Sequence, residues 1–108
     1  MTQTVPYTLI RNLNASITEI PTDSIVSRTM CREGAFKAIV FAFAPGQELS
    51  EHTASVPAVI QILEGECDVT LGEDHFEARP GFWAHMQAHL PHSLLAHTQV
   101  KMLLLMLS

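Results

Sequence analysis

The sequence predicts an all-β fold, an antiparallel sandwich or barrel, on three observations. Segments of strand length, rich in β-branched and aromatic residues, recur from Phe36 to the C-terminus. Turn signals separate them at intervals of roughly 8 to 12 residues, the spacing of sandwiches and barrels. Helical character is confined to a single turn near residue 14.

In chain order, Asn14-Ala-Ser-Ile-Thr-Glu-Ile20 sets a polar cap before one turn that stops at Pro21, and it reads as a short helix or loop. Ser24 to Cys31 interleaves β-branched with polar residues and supplies an edge strand. Residues 1–34 thus form an N-terminal segment packed on a barrel of residues 35–108. Phe36 to Ala44 is a buried strand ended by Pro45-Gly46. Val56 to Leu63 is another, ended by Glu64-Gly65. Glu66 to Leu71 alternates polar residues with Cys67, Val69 and Leu71, the pattern of a half-buried strand. Gly72, Pro80-Gly81 and Leu90-Pro91 then divide His75–Ala78, Phe82–Met86 and Ser93–Ala96, and Val100–Leu107 closes the chain.

That last strand does not alternate, and a strand that is apolar on both sides needs cover on both faces. The N-terminal segment, a homodimer partner or both together would cover its outer face.

Composition narrows the function. A length of 108 residues fits one domain, and 47% apolar against 16% charged residues excludes general disorder. Eleven acidic and six basic residues give a net charge of -5, which repels a phosphate backbone and predicts no nucleic-acid partner. Met1 to Pro6 carries no basic region leading into an apolar stretch, so a cytoplasmic protein is expected. The apolar run Met102–Leu107 is far short of the roughly 18 residues that span a bilayer, so no membrane association is expected. Cys31 and Cys67 lack metal or redox spacing and read as buried, reduced thiols. The five glycines all fall at turns, with no phosphate-cradling loop among them.

All six histidines lie after residue 51, a distribution that points to metal or acid–base work. His75 and His97 sit by turns and read as solvated. His52 and His92 each follow a turn and enter a strand. Ser93 beside His92 lacks a nucleophile-elbow setting, and neighbouring residues on a strand point to opposite faces, which argues against a serine hydrolase.

Two stretches carry a family resemblance. The first is Pro45-Gly46, then His52-Thr53-Ala54, Ala58, and Ile62-Leu63-Glu64-Gly65. The second is Pro80-Gly81-Phe-Trp-Ala-His-Met-Gln-Ala-His-Leu-Pro91-His92. Together they resemble the two motifs of the cupin family over roughly residues 35–107. The resemblance implies a jelly-roll barrel, a double-stranded β-helix, with His52 on the first metal-ligand position and His92 on the last.

Family metal sites typically use His, His, Glu and His, whereas Ala54 and Ala58 stand here at the second and third positions. Such a site would hold a divalent metal (Zn, Ni, Fe or Mn) only weakly through His52 and His92, with a third ligand drawn from His89 or from Glu48, which shares the parity of His52 in an extended strand. The parity of Met86 puts His85 outward. Ala54, Ala58, Ile60 and Met86 are expected to line a small apolar pocket beside the two imidazoles. The resulting expectation is a small-molecule-binding cupin. The alternatives are a metal-dependent enzyme of oxygenase or isomerase type on a small polar substrate, and a structural module with a decayed site; fold alone does not select among them.

Overall fold

The computed structural model describes residues 5–107; residues 1–4 of the expected N-terminal segment and Ser108 lie outside the described residues. A 3-10 turn at Leu13–Ser16 precedes the strands β1 (Ile25–Glu33), β2 (Phe36–Phe43), β3 (Glu48–His52), β4 (Ala58–Glu64), β5 (Cys67–Leu71), β6 (Asp74–Ala78), β7 (Trp83–Met86), β8 (His92–Ala96) and β9 (Val100–Leu107). They form a five-stranded sheet, β1-β2-β9-β4-β7, and a four-stranded sheet, β3-β8-β5-β6. Every pairing is antiparallel. This is the all-β jelly-roll sandwich expected from the sequence.

Two differences from the sequence reading have physical causes. The turn starts two residues earlier than expected, because the Asn12 side chain accepts from the Asn14 backbone N–H at 3.1 Å and caps it. Residues 48–52, expected as a loop leading into a strand at His52, are themselves β3, and His52 is its last residue. Their side chains are mostly polar and exposed, so the segment lacks the apolar run by which its neighbours announce themselves.

The main core lies between the sheets. Phe43, Ile60, Ile62, Val69, Met86, Leu94, Val100 and Met102 are buried there together. On β9 the even residues face this core, and the odd residues face outward. The N-terminal segment covers part of that outer face: Ile17, with Leu13 and Ile20, packs on Val40, Ala42 and Leu103. Lys101, also on this face, is buried; its ammonium donates to the Asn14 carbonyl at 2.5 Å and lies 3.8 Å from Glu64 Oε1. That pair ties the 3-10 turn to β9 and keeps the buried charge partnered.

Cys67 is buried in the core, and burial, with Asp68 beside it, pushes its thiol up to about 11. Cys31 is half-buried on the outer face. Among the described residues no helix is long and apolar enough to cross a membrane.

Candidate functional site

His52 and His92 face each other across the β3–β8 pair as direct register partners. Their ring centroids are 4.1 Å apart with the planes at 58°. His92 is buried, 7% exposed, whereas His52 is exposed and stands at the barrel mouth.

Each ring is held in the same way. His52 Nδ1–H donates to the Ser50 carbonyl and His92 Nδ1–H to the Leu90 carbonyl, both at 2.8 Å. A carbonyl oxygen only accepts, so each Nδ1 carries the hydrogen and each neutral ring keeps its Nε2 lone pair free. Burial holds the His92 imidazole below its ordinary value of 6.5; the Leu90 carbonyl opposes this, and the neighbouring His52 adds to it. The arrangement is therefore a pair of imidazole Nε2 atoms at one end of an apolar barrel.

Between the rings and the core is a void of about 20 Å³, lined by Leu49, His52, Ile60, His92, Ser93, Leu94, Met102 and Leu104. That is space for about one water molecule. Of the expected lining, Ile60 is present. Ala58 and Met86 pair with each other in the core and do not reach the void, and Ala54 lies in the loop after β3. Met102 and Leu104, absent from the sequence reading, take that place because the even face of β9 runs beneath the histidines. The inward parity of Val100 on the last strand would have pointed to them.

Neither expected third ligand joins the pair. The pairing of β3 with β8 slips between Leu49 and His52, so Leu49 opposes the buried Leu94 while Glu48 opposes Leu95 and is exposed. The shared parity of Glu48 and His52 in the sequence is broken by this bulge. His89 is exposed, with φ 71, and its backbone N–H donates to the Ala54 carbonyl at 2.7 Å. Among the described residues no group of three or more His, Cys, Asp or Glu side chains is arranged to hold a metal ion. His85 is exposed on β7, His75 bonds Thr70 Oγ1 at 2.9 Å, and His97 lies 2.9 Å from Asp68.

The sequence pattern of the cupin domain matches residues 39–108. The chain belongs to the cupin family. Among solved structures, this cupin is similar to a conserved protein of unknown function from Streptococcus pyogenes, with 25% identity, 98% of this chain and 92% of that chain covered, and a TM-score of 0.82. A cupin superfamily protein from Desulfitobacterium hafniense gives 24% identity, 99% and 94% coverage, and a TM-score of 0.79. A salicylate 1,2-dioxygenase from Pseudoaminobacter salicylatoxidans, solved with gentisate, gives 16% identity, 80% and 26% coverage, and a TM-score of 0.72. No curated protein matches the sequence. At two of the four positions where cupin metal sites typically carry ligands this chain has Ala54 and Ala58, so its residues do not fit a four-ligand divalent cage.

Proposed function

We propose that this cupin binds a small molecule at the barrel mouth through His52 and His92. The observation that carries the reading is the pair of free Nε2 atoms, each fixed by a backbone carbonyl on the opposite ring nitrogen. The inner void takes little more than a water molecule, so an organic ligand docks on the open, His52 side and sends one polar group inward. Two Nε2 acceptors suit a ligand that offers hydrogen-bond donors.

A divalent ion would be held by the same two nitrogens, and weakly, since a catalytic zinc normally keeps three protein ligands. For that reason a binding role is favoured over a metal-dependent enzyme of oxygenase or isomerase type. The fold shared with the gentisate-bound dioxygenase is compatible with either role. A homodimer, built through the outer face of the five-stranded sheet, completes the reading. It is supported by the exposed apolar side chains of Tyr7, Leu9, Trp83 and Leu107.

Imidazole ¹H–¹⁵N spectra recorded during titration with a library of small hydroxylated and amine-bearing molecules test the site. Ligands should shift the Nε2 resonances of His52 and His92, and the His52→Ala, His92→Ala double variant should lose their binding. Binding that survives in the double variant contradicts the assignment.

A further inference from the structure

We infer that Arg32 and Lys37 form a second ligand site, apart from the histidine pair, that takes the carboxylate of a small organic acid. The inference goes beyond the proposed role of His52 and His92 and does not depend on it.

It starts from the sheet register. Arg32 on β1 and Lys37 on β2 are direct antiparallel partners, one step from the pair Glu33 and Phe36 that flanks the turn Gly34-Ala35. Phe41 and Phe43 pack in the main core, so alternation along β2 puts Lys37 on the inner face of the five-stranded sheet, and its partner Arg32 with it. Two like charges directly opposite on one face repel, which costs stability. The ion pairs among the described residues are His97 with Asp68 and Lys101 with Glu64, and neither Arg32 nor Lys37 takes part. Glu33, the carboxylate next in the chain, alternates to the opposite face. The repulsion therefore stands without a protein anion to offset it.

The pair also borders a cavity. About 240 Å³ lies open between the β1–β2 hairpin and the loop that joins β3 to β4. Phe36, Met106 and, from that loop, Ser55 and Val56 share its wall with the two cations, and Met106 is the β9 partner of Lys37. Arg32 is exposed and Lys37 half-buried, so the charges run from the rim inward. The volume is below that of a drug-sized pocket and suits a molecule of a few carbon atoms. None of these residues lines the void beside His52 and His92.

Chemistry selects the occupant. A guanidinium offers a planar fork that matches a carboxylate in bidentate fashion, and an ammonium adds a point charge. Val56, Phe36 and Met106 offer apolar surface to a short carbon chain, which inorganic phosphate lacks. A bound carboxylate also relieves the repulsion within the pair, so the ligand stabilises the native state.

Titration of the purified chain with butyrate, set beside butyramide and inorganic phosphate at constant ionic strength and followed by ¹H–¹⁵N amide spectra, tests the site. Butyrate should saturate one site per chain, shift the Gly34 and Lys37 amides and raise the melting temperature. Butyramide, of the same shape without the charge, should bind at least about tenfold more weakly, the worth of one charge-assisted hydrogen bond. Arg32→Gln and Lys37→Gln should each weaken butyrate by about tenfold. Arg32→Lys, which keeps the charge without the fork, should weaken it less. Amide spectra unchanged away from the hairpin establish that the variants are folded. Equal binding of butyrate and butyramide, tighter binding of phosphate, a butyrate affinity unmoved in both glutamine variants, or no saturable shift at the hairpin each overturns the assignment. Shifts confined to the His52 and His92 rings overturn it too, by sending the carboxylate to the other site. The role of the histidine pair is decided separately, by its own double variant.

Discussion

Leu49 and His52 are three residues apart on one strand, yet both turn into the barrel, because the register of β3 against β8 slips between them. Alternation would have sent them to opposite faces. The bulge therefore brings the imidazole to His92 and, by the same step, sends Glu48 to the outer surface.

Neutralising Glu48 should accordingly leave the site unchanged. Glu48→Gln is expected to keep metal and small-molecule affinity at the wild-type value and to shift stability by no more than about 0.5 kcal/mol, as for an exposed residue without a partner role. Isothermal titration of the variant measures it. A drop in affinity on the scale of His52→Ala would mean that the carboxylate reaches the pair.

The protonation of His92 sets a pH dependence. In the unfolded chain a histidine titrates near 6.5. Burial holds His92 lower in the fold, so around and below that pH the unfolded state carries more protons than the native state. Its contribution to stability is complete above about pH 6.5 and is lost as the pH falls from there through the lower native value. Melting temperatures between pH 7.5 and 5 should therefore fall more steeply for the wild type than for His92→Gln. Parallel curves would show that the native and unfolded imidazoles titrate alike.

Most of the fold was legible because strand, turn and burial coincide in the sequence. Phe36–Phe43 and Ala58–Glu64 bury continuous apolar runs, and Pro45-Gly46 and Gly65 mark their ends. The positions of His52 and His92 were legible for the same reason, since their distance from those turns is fixed by the strands between. The bulge was not. Glu48-Leu-Ser-Glu-His52 has one apolar residue, too few to reveal that its period changes midway. The floor of the void was less plain, for β9 is apolar on both parities after Lys101, and only the alternation of Val100 with Lys101 at its start marks the inward set.

Rebuilding the missing ligands is expected to couple metal to folding. Ala58 is 2% exposed and lies opposite Met86 and Met106, so a glutamate there buries a carboxylate. The Ala54→His, Ala58→Glu variant should lose about 2–4 kcal/mol of stability without metal, the scale of an uncompensated buried charge. Added Zn(II) or Ni(II) should restore it by binding only the native state. A thermal midpoint indifferent to either ion would mean that these positions do not converge on His52 and His92.

Gly65 offers a test of the turn that precedes β5. At φ 87 its backbone is in the left-handed region, and a Cβ there would stand 1.9 Å from the Gln99 carbonyl oxygen. Gly46, at φ 82, would meet no atom within 4 Å. Gly46→Ala should thus cost only the conformational strain, about 1–2 kcal/mol. Gly65→Ala should cost that and the displacement of the Thr98–Gln99 turn, in total more than about 3 kcal/mol. Urea unfolding of the two variants gives the comparison, and equal losses would remove the close approach as the reason for a glycine at 65.

The remaining expectation concerns the outer face of the five-stranded sheet. Ile17 and its neighbours cover Val40, Ala42 and Leu103, but the segment before them lies across the sheet less completely. Between Thr8, Leu9, Ile10 and the strand residues Met30, Ala38, Leu103 and Leu105 a cavity of about 350 Å³ is left open. Tyr7 and Leu9 are both 66% exposed, and Trp83, on the edge strand β7 of the same sheet, is 59% exposed. Several large apolar side chains on one sheet are costly in water, and a two-fold partner would bury the same stripe on both chains at once. The net charge of -5 opposes such contact only weakly at physiological salt. Sedimentation at micromolar concentration should therefore give a mass near twice 11.9 kDa, and Leu9→Lys with Trp83→Lys should return it to one chain without loss of the histidine site. A wild-type mass of 11.9 kDa would sink the dimer and leave residues 5–20 as the only cover over β9.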